Sequence, residues 1–173
     1  MTEARVQIVD EQDQPIGGAT KKEAFAKGLI RRVVRGLTQD EHGRLLLHKR
    51  APTKQPNPNL WDWLPSGHVD EGETYDQAIR RESEEELGIP RDEISFEPIE
   101  TYYTSRQAGD FLLNSFSRVY KISIKTDKPI QLDTSEATEL RWFTPKELAN
   151  ALKNEPEKFA PSVALLLSKY YKS

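Results

Sequence analysis

"GHVDEGETYDQAIRRESEEELGI", residues 67–89, places eight carboxylates between two glycine turns in a chain whose net charge is only -3. Residues 74–87 contain no Gly or Pro and are dominated by good helix formers, and Gly88 follows as a C-cap. On a helix turning about 100° per residue, Tyr75, Ala78 and Ile79 define an apolar side. Glu82, Glu85 and Glu86 fall on that same side, within an arc of roughly 100°, while Gln77, Arg80 and Glu84 point the other way. A solvated face explains Glu84 but not the other three. Like charges at this spacing repel by some tenths of a kcal/mol per pair on an exposed helix, and by more as water is withdrawn. A hard divalent cation relieves that repulsion, because Mg2+ prefers carboxylate oxygens and keeps several of its own waters. The alternative is a purely structural acidic helix.

The flanking sequence supplies a sheet for this helix to pack on. "RVQIVD" alternates into the polar turn "EQDQPIGG", the start of a strand or hairpin. In "TKKEAFAKGL", Thr20 and Glu23 have capping-box spacing for a short helix. "LIRRVVRGLT" and "RLLLHKR" read as strands around the turn "QDEHG", giving a hairpin over residues 29–50. A Pro- and Asn-rich loop, "APTKQPNPNLWDWLP", leads into an extended stretch at Trp61–Leu64. Two further strands, "ISFEPIETYYT" and "FLLNSFSRVYKISIK", are expected on either side of an "SRQAGD" loop. "ATELRWF" is a last strand, "TPKELANAL" starts a helix with Thr then Pro, and "APSVALLLSKYY" is a terminal helix. No repeat or linker interrupts the chain, so a single mixed α/β domain over residues 1–173 is expected.

Composition narrows the functions. The chain has 36% hydrophobic and 31% charged residues, enough for a core and for solubility. A sequence pI near 5.7 gives no global basic field, which argues against binding a nucleic-acid polymer. The absence of cysteine removes disulfides, thiolate metal sites and cysteine nucleophiles. No signal-like or membrane-length apolar run is visible, so a cytoplasmic protein without membrane contact is expected.

The acidic stretch resembles the Nudix box. Gly67, Glu73, Arg81, Glu82, Glu85, Glu86, Gly88 and Ile89 all stand at the box spacing, and the one departure is Ser83 in place of an aliphatic residue. That departure bears on packing under the helix, not on the charged positions. The resemblance implies a MutT-like α/β/α sandwich with a mixed sheet. It also implies Mg2+- or Mn2+-dependent hydrolysis of a nucleoside diphosphate linked to another group. By the same resemblance Glu82, Glu85 and Glu86 hold the metal with the backbone carbonyl of Ser66, and one of them or a nearby glutamate activates water. Arg81 and Glu73 orient the carboxylates, next to Gly67. Glu136, six residues before Trp142, stands where some members carry a further metal-ligating or base glutamate, although an ordinary surface glutamate fits the spacing equally well.

The first 65 residues look like the isopentenyl diphosphate isomerase branch and its hydrolase relatives. Isomerases carry a catalytic cysteine before a Gly-His pair. Here the triplet is "SGH", with Ser66 in that place and His68 retained. Arg31 corresponds to their early-strand metal-binding histidine. The expectation is therefore a hydrolase cleaving a phosphoanhydride in a nucleoside diphosphate, triphosphate or related small diphosphate, as a monomer or homodimer. The alternatives are an isomerase of a short prenyl diphosphate and a non-catalytic nucleotide-binding module. Arg50 and His68 are candidate substrate contacts, and Lys49, Lys54 and Arg106 are further candidates for phosphate. His42 and His48 read as incidental, and Trp61 and Trp63 as packing residues more readily than base-stacking ones.

Overall fold

The computed structural model describes residues 4–124, 130 and 132–171. Strand β1 (Arg5–Val9) pairs antiparallel with β2 (Pro15–Thr20), and helix α1 (Lys21–Lys27) follows directly. Thr20 caps α1: its hydroxyl accepts from Glu23 N–H while the Glu23 carboxylate accepts from Thr20 N–H. Then come β3 (Arg31–Gln39), β4 (Leu45–Arg50), β5 (Trp61–Trp63), β6 (Ser66–His68) and α2 (Tyr75–Leu87). The chain continues through β7 (Ile94–Ala108), β8 (Phe111–Ile124), β9 (Ala137–Phe143), α3 (Pro145–Asn154) and α4 (Pro161–Tyr170).

β3 is the hub of one mixed sheet. It runs parallel to β8 from Arg31↔Ser115 to Gln39↔Ser123 and antiparallel to β1, β4 and β6. β4 in turn pairs with β5 and β9. One apolar layer joins Val34, Leu46, Tyr120 and Ile122 of the sheet to Tyr75, Ala78, Ile79 and Leu87 of α2. A second joins Leu37, Leu47, Trp63, Val119 and Phe143 to Leu148, Val163, Leu166 and Leu167 of α3 and α4. Helices thus cover both faces, which is the expected α/β/α sandwich. A small third cluster, Val6, Ile8, Ala19 and Ala24, seats α1 on the β1–β2 hairpin.

Three elements depart from expectation: β2 begins inside the expected turn "EQDQPIGG", β6 is a strand the sequence did not announce, and the β7–β8 ribbon runs further than expected. The strands β7 and β8 run through "SRQA", with Arg106↔Leu113 and Ala108↔Phe111 still in register, so the turn is only Gly109 and Asp110. Gly109 takes φ +58, the left-handed geometry that a tight hairpin turn requires. Polar residues at alternate positions of this long ribbon face solvent, which made its end look like a loop in sequence. Lys125, the last residue of the expected second strand, lies outside the described residues. Trp61 and Trp63 are packing residues: Trp63 is fully buried with its indole N–H donating to Ser162 O at 3.1 Å, and Trp61 meets Phe143 edge-on. In α4, Val163, Leu166 and Leu167 are core, whereas Ala164 and Leu165 face outward.

Ser83 is fully buried on α2, and its hydroxyl donates back to Ile79 O at 2.6 Å. The polar atom is therefore satisfied inside the helix, where it does not disturb the layer. Because Ile79 O belongs to the helix ladder, removing the hydroxyl leaves no orphaned acceptor. Ser83→Ala is expected to shift unfolding free energy by less than about 1 kcal/mol in a denaturant titration. A loss of several times that would show that the hydroxyl is structurally required.

Candidate active site

The local chain geometry that builds the site is the placement of β6 across the face of α2. Thr74 caps α2 with Gln77 as its box partner, and Gly88 ends it at φ +62. These caps fix which helix face meets β6. Gly67 lies so close that a Cβ there would stand 2.0 Å from the Glu82 carboxyl carbon. On either side of it, Ser66 N–H donates to Glu86 Oε2 at 2.9 Å, and His68 O accepts from Arg81 Nη2 at 3.0 Å.

Arg81 is the centre of the acidic network. Its Nε and Nη2 donate to the two oxygens of Glu73 at 3.1 and 2.9 Å, and Nη1 donates to Glu82 Oε1 at 2.8 Å. Nη1 also reaches Glu85 Oε2 at 3.4 Å, and Glu73 in turn accepts from Asp70 N–H at 3.0 Å. Burial alone would lower the Arg81 pKa, but the hydrogen bonds to Glu73 and Glu82 outweigh it and hold the guanidinium firmly charged.

The three glutamates differ in environment. The Glu85 side chain is 60% exposed and stands at the rim, while that of Glu82 is 13% exposed. Glu82 has its carboxyl pKa raised, first by burial, with the Arg81 bond and charge opposing. Glu86 is raised much further, by burial and then by the Glu82 charge, against which the Ser66 N–H and, more weakly, the Arg50 charge work. Among the described residues no three His, Cys, Asp or Glu groups converge closely enough to form a ready-made cation cage. Arg81 turns Glu82 and Glu85 toward itself. The deficit of positive charge is local to Glu86, and that deficit is what a hard cation fits.

These carboxylates line a cavity of about 690 Å³ whose other wall is basic. Ser66, Gly67, His68, Glu136, Arg50, Lys54 and Arg106 all reach it, so the expected site residues come together; Lys49 does not line it. Glu136 forms an ion pair with Lys54. His68 contacts Arg31 Nη1 through Nε2 at 2.9 Å, and burial followed by nearby cations drives its pKa well down, so the ring is neutral. Four lining residues had no place in the sequence reading of the site: Lys21, Arg35, Asp62 and His48. The only sequence signal was that Arg31, Val33 and Arg35 stand at alternate positions of one strand, which puts them on one face. Asp62 is nearly buried and accepts from Ser162 Oγ at 2.8 Å, with Arg35 and Arg50 at 3.8 and 4.0 Å.

An acidic helix face stands opposite a basic wall in one cavity on an α/β/α sandwich. A sequence model of the NUDIX domain matches residues 29–165, and the chain belongs to the Nudix family of hydrolases. A Nudix hydrolase of Deinococcus radiodurans is 28% identical over 148 residues, covering 86% of this chain and 83% of that protein. The isopentenyl-diphosphate Delta-isomerase of Kocuria rhizophila is 30% identical over 161 residues, covering 92% and 88%. A crystal structure from Deinococcus radiodurans superimposes with a TM-score of 0.79 at 29% identity, covering 97% of this chain and 99% of that one. Among the described residues no helix is long and apolar enough to cross a membrane.

His48 gives the pocket a pH signature. It is 3% exposed, neither ring nitrogen has a hydrogen-bond partner, and burial lowers its pKa from 6.5 to about 4. Between those values the unfolded chain binds the proton and the folded chain does not, so stability falls as pH drops through that window. His48→Gln should shrink the loss of unfolding free energy between pH 6.5 and 4 by up to about 3 kcal/mol, measured by denaturation at each pH. Identical slopes in both proteins would contradict the assignment.

Proposed function

We propose that this chain is a Mg2+- or Mn2+-dependent pyrophosphohydrolase that cleaves a phosphoanhydride bond in a nucleoside diphosphate, triphosphate or related small diphosphate. The observation that carries this reading is the Glu86 carboxylate: desolvated, beside Glu82, given one N–H, and open to a cavity lined with cations. Glu82, Glu85 and Glu86 would hold the cation, with the Ser66 carbonyl and Glu136 as further oxygens. When bound, such a cation withdraws charge from phosphoryl oxygens and acidifies water.

The chain's own residues do the rest. Water oxygen attacks one phosphorus, the anhydride P–O bond breaks, and the departing phosphate takes the bond's electron pair. The proton of the attacking water goes to a glutamate of this wall that does not itself hold the cation, since a bound cation lowers the pKa of the carboxylate that holds it. Arg81 and Glu73 keep Glu82 from rotating, since three of the five donors of the guanidinium are fixed on those two carboxylates. Arg50 and Lys54 offer charge to the phosphates, and His68 acts by steadying Arg31. The site suits a small molecule in the cytoplasm, for a monomer or homodimer alike.

An isomerase reading lacks its chemistry here, because the chain has no cysteine and Ser66 stands in the corresponding triplet. A mere binding module would have no use for a buried, unneutralised Glu86. Glu82→Gln and Glu86→Gln are each expected to lower phosphate release by about a hundredfold or more at saturating Mg2+, with melting temperature within a few degrees of wild type. Full activity in either variant would sink the reading, as would conversion of isopentenyl diphosphate to its allylic isomer by the wild-type protein.

A further inference from the structure

The basic wall holds more charge than the acidic wall uses. Arg31 is 3% exposed, yet among the described residues its guanidinium pairs with no carboxylate. Its Nη1 meets the neutral His68 ring, its Nε is buried without a hydrogen-bond partner, and its plane lies 4.5 Å from the centroid of Phe25. Burial first, and then the like charges of Arg35 and Arg106, pull its pKa down to about 10. Arg106 on β7 donates at 3.3 Å to Asn57 Oδ1, a neutral acceptor. Arg35 donates at 3.5 Å to the neutral Ser66 Oγ and approaches a carboxylate only at 3.8 Å, that of Asp62, which it shares with Arg50. A cation set with so little counter-charge, buried at Arg31 and half-buried at Arg35 and Arg106, is unfavourable until an anion arrives. Guanidinium forks match phosphate oxygens with two parallel hydrogen bonds each.

We propose that Arg31, Arg35 and Arg106 form an anion subsite for the terminal phosphoryl group of the substrate, so that preferred substrates end in a free phosphate. A terminal phosphoryl group brings three non-bridging oxygens and up to two charges. A phosphate esterified on both sides brings two oxygens and one charge. Three forks facing one cavity fit the former. The subsite also lies beside the acidic wall: Arg35 faces Ser66 across the β3–β6 ladder and Arg31 touches His68, while Glu82 lies under Gly67 between them. Phe25 and Lys21 complete it from α1, which precedes the matched residues 29–165. Helix α1 therefore adds one cation and one ring to the wall that β3 and β7 furnish. The anion site stands on the arginines alone, and its role toward substrate rests on the hydrolase reading above.

Two measurements separate these. Metal-free protein in a chelator, at low salt, is titrated calorimetrically with inorganic phosphate. Wild type is expected to bind, Arg106→Gln to bind about tenfold more weakly or worse, and Glu82→Gln to bind at least as well as wild type. Arg35→Gln serves as the second variant if Arg106→Gln fails to fold. No binding by wild type, or undiminished binding in the folded arginine variant, overturns the subsite. With Mg2+, wild type is expected to show higher kcat/KM for a nucleoside diphosphate than for the same diphosphate esterified by a sugar. Arg106→Gln should lose about tenfold of that preference, mainly through KM. A wild-type preference for the ester overturns the terminal assignment. Phosphate binding as expected, with no hydrolysis of any diphosphate, leaves the subsite standing and removes the hydrolase.

Discussion

The close approach of β6 to α2 at Gly67 is the constraint on which the site depends. With no side chain at that point, the strand can lie against the Glu82 carboxylate. Its backbone then addresses the helix twice, through Ser66 N–H to Glu86 and His68 O to Arg81. Both partners are long side chains that would otherwise sample many rotamers, so two backbone contacts set the positions of the whole acidic wall. Any residue larger than glycine would push Glu82 off Arg81 or lift the strand from the helix.

Charge is segregated across the cavity because the two walls come from different periodicities. Helix α2 projects carboxylates at i, i+3 and i+4, while β3 projects Arg31 and Arg35 at alternate positions. The SGH strand runs between these rows, hydrogen-bonded to both. Burial disfavours the charged form on each wall and like charges add to it: Glu82 raises Glu86, and Arg35 and Arg106 depress Arg31. In the proposed reading, a metal-bound phosphate, positive on one side and negative on the other, would relieve both at once.

Much of this was legible in residues 67–89, because a helix with capped ends is a local structure and its wheel shows at once which glutamates turn inward. The C-cap at Gly88, the apolar seat of Tyr75, Ala78 and Ile79, and the outward Glu84 all follow from spacing, whereas the Thr74 N-cap and its Gln77 partner emerged only in the structure. Inwardness was overstated for Glu85, since a wheel gives direction but not depth, and this side chain stands at the rim. The basic wall was hardly legible. Arg31, Arg35, Arg50 and Arg106 meet only because β3 pairs with β8 and β8 with β7, while β4 carries Arg50 to Asp62 on β5. Such pairings join residues 75 positions apart along the chain, Arg31 and Arg106, and no periodicity within either segment announces them. His48 was set aside for the same reason: its burial is decided by β5 and β9 on either side of it.

The cation at Glu86 is the claim most open to direct test, by titrating Mn2+ into the metal-free protein and following the free ion by electron paramagnetic resonance. Wild type is expected to take up Mn2+, with affinity at least about tenfold weaker in Glu86→Gln and Mg2+ competing for the same place. Equal Mn2+ affinity in the two proteins would contradict it.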